Sequence, residues 1–181
     1  DIAILLTTFI LTVLVDLTVA IEIGMVLAAF LFMRNMIKSS DVNMLSKNNM
    51  ETGTNADKES VDLYDIPAGV EVFEITGPLF FGAAYKFKDA IRFIEKTPAV
   101  LIIRMRYVPI IDATGIRTLE EVHKEIKQRG TKLILSEVHS EKVMEELQNA
   151  RLLFSIGKAN VTNTLEAAIE RSRQILADFS K

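Results

Sequence analysis

The sequence predicts an α/β domain, a mixed and mostly parallel sheet packed with helices, preceded by hydrophobic transmembrane helix or helices. Three observations carry this. Residues 2–33 are apolar almost throughout and contain no Lys or Arg. From Val61 onward, short strand-like runs alternate with segments of helical period, the pattern of helices laid against a mainly parallel sheet. Among those runs AVLIIRM (Ala99–Met105), rich in Val and Ile, reads as a strand buried on both faces, and it leads through a short loop into an amphipathic helix.

Charge separates the two parts. Of 24 acidic residues three (Asp1, Asp16, Glu22) lie in the first 33 positions, and none of the 21 basic ones does, so the remainder is formally neutral. No basic face is implied, and nucleic acid is not an expected partner. The chain has no Cys, which excludes disulfides and cysteine-based metal sites. It begins at Asp1 without an initiator Met and reads as a piece of something longer.

Residues 1–36 are expected to be membrane segments. As one helix, 32 residues would run for about 50 Å at about 1.5 Å per residue, against a hydrocarbon core of about 30 Å. The reading preferred here is a span over Leu17–Met33, a shorter segment before it and a break near Asp16; a single tilted helix is the alternative. In a continuous helix Thr8, Thr12 and Asp16 would share one face. Asp16 and Glu22 are costly in lipid and should face protein, water or an interface. Ala20, Gly24 and Ala28 form a small-residue stripe suited to close helix packing. Arg34 and Lys38 follow the span directly, so the positive-inside rule places later residues in the cytoplasm. Residues 37–62, rich in Ser, Asn, Asp, Glu and Lys, read as a flexible linker.

The domain, residues 63–181, is expected to run β-β-α-β-α-β-α-β-α. Val70–Ile75 alternates as a half-exposed strand, Gly77-Pro78 turns, and Leu79–Phe81 is a short second strand. Ala83–Glu95 has helical period. After the central strand, Asp112 is placed to cap a helix carrying Ile116, Leu119, Val122 and Ile126 on one face, with Gly130 closing it. Lys132–Val138 is a strand, Ser140 caps a helix to Asn149, Leu152–Ile156 is a last short strand, and Asn163 begins the final helix.

The turn Asp112-Ala113-Thr114-Gly115 resembles the D-[ST]-[ST]-G signature of the STAS domain, which is shared by anti-sigma-factor antagonists and by sulfate-permease (SulP) anion transporters. The string Gly77-Pro-Leu-Phe-Phe-Gly-Ala-Ala84 resembles the transporter branch, and TTFILTVLVDLTVAIEIGMVLAAFLF (residues 7–32) is similar to its last membrane segments. The resemblance implies the C-terminal part of a secondary anion transporter for sulfate, bicarbonate or a dicarboxylate. Its cytoplasmic STAS domain would then serve regulation, partner docking, dimerisation or membrane delivery. The implied partners are the rest of the permease membrane domain, a second copy of the parent and a cytoplasmic regulatory protein. Carried over from the antagonists, the phosphorylated hydroxyl falls on Thr114, with Asp112 and Gly115 around it; Ala113 departs from the pattern. Against this stands the reading that these three residues only cap and start a helix. The alternative function is a partner-switching regulator controlled by phosphorylation at Thr114.

No catalytic residue, cofactor or metal site is expected. Gly77–Gly82 lacks the Lys-Ser/Thr of a phosphate-binding loop, and no nucleophile elbow occurs. His123 and His139 have no partner at a ligand spacing and are expected at the surface. Glu120, Glu121 and Glu125 alternate with Lys124 and Lys127 as a solvated face.

Overall fold

The computed structural model describes residues 2–39, 41–44, 65–92, 94 and 97–179. The chain divides into two compact units, Asp1–Ser39 and Ser40–Lys181.

The first unit is a pair of helices, α1 (Ile2–Leu14) and α2 (Leu17–Ser39), broken at Val15-Asp16. Asp16 opens α2: its carbonyl accepts from Ala20 N at 3.0 Å and its carboxylate from Thr18 N at 3.4 Å. Thr8 and Thr12 therefore lie on α1 while Asp16 sits at the break, so the three do not share one helix face. The two hydroxyls donate back to α1 carbonyls, Thr8 to Ile4 at 2.9 Å and Thr12 to Thr8 at 2.8 Å. The helices pack through the small residues. Ala20 and Gly24 are buried, and a Cβ on Gly24 would lie 2.4 Å from Thr8 Cγ2, so with Thr8 opposite it this position suits glycine. Ala28, the third member of the stripe, is exposed, as is Glu22. Leu5, Phe9, Val13, Met25 and Phe30 also point outward, each more than 60% exposed. Among the described residues one helical stretch, Leu17–Asn35, is long and apolar enough to cross a bilayer; the apolar part of α1, Ile4–Leu14, is shorter.

The second unit is a five-stranded sheet ordered β1-β2-β3-β4-β5, with β1 Asp41–Met44, β2 Val70–Thr76, β3 Val100–Tyr107, β4 Lys132–Ser136 and β5 Val161–Thr162. β1 is antiparallel to β2, and the other pairs are parallel. Between strands run α3 (Phe81–Arg92), α4 (Ala113–Gln128), α5 (Glu141–Asn149) and the short α6 (Leu152–Ile156); α7 (Leu165–Phe179) ends the described chain. Strand period divides the core in two. Phe73, Ile75, Leu101, Ile103, Leu133 and Leu135 face α3–α6, while Val70, Val72, Val100, Ile102 and Ile134 face α7. β3 is covered on both sides, and Val100–Ile103 are each 0% exposed, as its unbroken apolar run requires.

The observed order departs from the expected one in that two helices, α5 and α6, stand between β4 and β5, and two strands are relocated. Of the expected linker 37–62, residues 37–39 continue α2 instead and Asp41–Met44 form the first strand; residues 40 and 45–62 lie outside the described residues. Leu152–Ile156 is helical rather than extended. Arg151, in the left-handed region at φ 56°, turns the chain into one helical turn, which buries Leu152 and Ile156 and leaves Phe154 outside. The last strand moves to Val161-Thr162. Leu79 makes a single bridge to Ile111 instead of a strand. Thr164, one residue beyond Asn163, caps α7: its hydroxyl accepts from Ala167 N at 3.2 Å. Ser140 caps α5 as expected, accepting from Val143 N at 3.4 Å.

Candidate regulatory site at the carboxyl end of the sheet

β3 delivers the chain to a turn that backbone bonds hold on two sides. Gly77 N donates to Tyr107 O at 2.9 Å, Leu79 N to Ile110 O at 3.0 Å, and Asp112 N to Leu79 O at 3.4 Å. Asp112 then caps α4, its carboxylate accepting from Gly115 N at 2.7 Å. Gly115 is buried, and a Cβ there would stand 2.2 Å from Leu79 O and 2.7 Å from Ile111 Cγ1. The glycine is thus required by close approach of backbone to backbone. Thr114 lies between these two pinned residues and is exposed, as is Ala113. Asp112, Thr114 and Gly115 are therefore brought together as one rigid corner that presents a hydroxyl at a helix N-terminus, where the backbone field favours negative charge. Helix capping accounts for Asp112 and packing for Gly115; neither accounts for a hydroxyl at Thr114.

On the α7 face of the same sheet end is a buried charged row that the sequence reading missed. Register pairs Glu74 with Arg104 and Arg104 with Ser136. Arg104 Nη1 lies 3.1 Å from Glu74 Oε1, and Nε is bonded to Glu137 Oε2. All three charged residues are at most 9% exposed. Burial opposes the guanidinium charge, but the bond to Glu137 and the fields of Glu137 and Glu74 outweigh it and hold Arg104 above its ordinary value. Glu137 adopts φ 56°, unusual without glycine, and its N–H donates to Thr162 O at 3.0 Å. The available signal was an arginine inside a strand read as buried on both faces, since a buried guanidinium requires carboxylates.

The histidines differ from expectation in one case. His139 is exposed, but His123 is buried on α4. Desolvation, with the field of Lys127, holds its imidazole below the ordinary value. The polar side of α4 is charged and partly paired: Glu121 meets Lys88 of α3 at 2.6 Å and Arg117 at 3.2 Å, and these bonds hold its carboxyl below the usual range. Among the described residues no group of three or more His, Asp or Glu is placed to hold a metal ion.

The STAS domain family matches residues 64–168, and the chain belongs to that family, which is a transporter-associated class and not an enzyme class. Its similarity is to the transporter branch. A sulfate transporter family protein from Wolinella succinogenes is 36% identical with a TM-score of 0.62, over 67% of this chain and 99% of that one. The SulP transporter STAS domain from Vibrio cholerae is 32% identical with a TM-score of 0.55, over 63% of this chain and 88% of that one. The YvdB protein of Bacillus subtilis (strain 168), named as a candidate sulfate transporter, is 30% identical over 159 residues, 87% of this chain. The chain spans 28% of that relative's length.

Proposed function

We propose that the chain is the C-terminal part of a SulP-type secondary anion transporter. In this reading α1 and α2 are membrane segments of the permease, and the STAS domain regulates, docks or helps deliver it. The observation that carries the reading is a transporter-branch STAS domain following a helix pair whose outer surface is apolar. Two helices cannot bury such a surface between themselves, so lipid and the remaining membrane helices of the permease would cover it. Arg34, at the end of the apolar stretch, and Lys38 support a cytoplasmic position for residues beyond about 36. Sulfate is the first substrate to test because the named relatives are sulfate transporters; bicarbonate and dicarboxylates follow. A dimeric parent belongs to the same reading.

Within it the corner of Asp112, Thr114 and Gly115 is the regulatory surface. The exposed hydroxyl on a pinned turn favours a partner-switching role, since a phosphate there would add nearly two negative charges without disturbing the core. The test is uptake of labelled sulfate by cells making the parent protein, with bicarbonate, chloride and dicarboxylates as competitors, beside the parent truncated after Lys38. Uptake, or inhibition by one competitor, supports the transporter. Loss of surface protein or of rate in the truncation supports the role of the domain. A parent that reaches the membrane and moves none of these anions overturns the reading.

A further inference from the structure

We propose that the face of α2 bearing Glu22 docks, within the bilayer, against a membrane helix of the parent protein from outside residues 1–39, and that this helix brings a Lys or Arg side chain to the Glu22 carboxylate. The inference rests on the reading of α1 and α2 as membrane segments. The stretch of α2 able to cross a bilayer, Leu17–Asn35, has 19 residues, or about 28 Å at about 1.5 Å per residue. Glu22 stands about 7.5 Å along it from Leu17. With Leu17 at the edge of a hydrocarbon core of about 30 Å, Glu22 is inside that core. An ionisable side chain there is costly unless it faces protein or water and finds a polar partner.

The side of α2 toward α1 is already taken. α1 packs on the line of Ala20, 1% exposed, and Gly24, which meets Thr8. At about 100° per residue Glu22 is turned about 160° around the axis from both, so α1 does not reach it, and Glu22 is exposed. Thr18, one turn earlier, and Ala29, two turns later, lie close to the same line and are also exposed. The face therefore carries two polar side chains one turn apart, with Phe30 and Phe32 on its flanks, 62% and 64% exposed. Polar side chains on an otherwise apolar helix face hold membrane helices together. Charge chooses among the occupants. Lipid would leave the carboxylate desolvated and unpaired. A second copy docked by the same face would set carboxylate against carboxylate. A helix with a cation satisfies it. Residues 1–33 hold no Lys or Arg, and Arg34 is about 18 Å further along the axis, so the cation has to come from elsewhere in the parent. The chain spans 28% of the length of its Bacillus subtilis relative, and the remaining helices of the permease are the segment that would supply it.

The experiment uses the full-length parent, purified in detergent, and compares the melting midpoints of wild type, E22Q and E22L. If a cation is docked on Glu22, removing the carboxylate strands that cation, so the midpoint should fall by a few degrees in E22Q and further in E22L. If Glu22 faces lipid, the order reverses, because leucine suits hydrocarbon better. An E22L midpoint at or above wild type overturns the proposal. Should E22L not fold, a photoreactive benzoylphenylalanine at Ala29 decides, with Glu22 left intact. It should crosslink to a helix of the same chain outside residues 1–39 that contains a Lys or Arg. Replacing that residue by Leu should then recover stability when combined with E22L. A crosslink to lipid alone, to a second copy or to a helix without a cation overturns the proposal. Neither readout depends on which anion the parent moves, so this test and the uptake test fail separately.

Discussion

Removing the guanidinium at Arg104 should be among the most damaging single substitutions in the domain. R104M keeps the length and fills the volume, so the change isolates charge. It takes the Arg104 guanidinium away from Glu74 and Glu137, two carboxylates that are 6% and 9% exposed. Breaking a buried pair from one side costs about 3–5 kcal/mol, because the residual charge stays desolvated. A domain of this size is stable by roughly 5–15 kcal/mol, so about a fifth or more of the total would go. In urea, with m of about 1–3 kcal/mol/M, the midpoint should fall by about 2 M at pH 7.5. Circular dichroism of the full chain in micelles, supported by pulse proteolysis of the domain, reads this. A second signature separates charge from packing. Protonating a carboxyl that has lost its partner removes the buried charge, so the gap between R104M and wild type should narrow as pH is lowered. A loss below about 1 kcal/mol at pH 7.5, or a gap indifferent to pH, would refute the view that the row is a buried ionic network.

Three further outcomes are expected. G115A gains about 1 kcal/mol of helix propensity but drives a Cβ to 2.2 Å from Leu79 O, and overpacking of about 1–3 kcal/mol should leave it destabilised; a midpoint at or above wild type contradicts this. Burial raises the Glu71 carboxyl above its usual value, so its ionisation works against folding as pH rises through about 4.5; E71Q should gain on wild type across that range and hold the advantage at pH 7, measured by thermal melts at pH 4 and 7. A Cβ on Gly24 would lie 3.8 Å from Thr8 Cβ, close to the mean separation across a disulfide of about 3.8 Å. Because the chain has no Cys, T8C/G24C should crosslink cleanly on oxidation, seen as a reductant-sensitive mobility shift on gels, and failure to crosslink would disprove the helix pairing.

Legibility from sequence tracked how local the determining physics is. β3 and α4 were readable because burial on both faces and helical period leave direct patterns, and Ser140 was readable because a cap acts within three residues. Leu152–Ile156 misled because five apolar residues suit a strand or a helical turn equally; the deciding factor was the left-handed Arg151, which has no sequence signature. β1 was hidden in a polar stretch because its pairing with β2 is long-range and supplies the hydrogen bonds that its composition does not advertise. At the turn, the cap on Asp112 and the need for glycine at 115 follow a recognisable string, yet the backbone of Leu79 that makes the glycine obligatory comes from another segment. The burial of His123 was unreadable for the same reason: it depends on packing that the helical period of α4 does not record.

The four residues of β1 have a practical meaning for anyone cutting this chain. They occupy the outer side of β2, matching Asp41 to Thr76 through Met44 to Phe73, while at the far margin β5 is only two residues long. A version starting near residue 63, where composition suggests the domain begins, would strip β1 and lay bare a run of unsatisfied amides and carbonyls along Val70–Thr76. Exposed apolar edges of that kind recruit other chains. Such a truncation is expected to self-associate, and starting at Asp41 instead is the simple remedy.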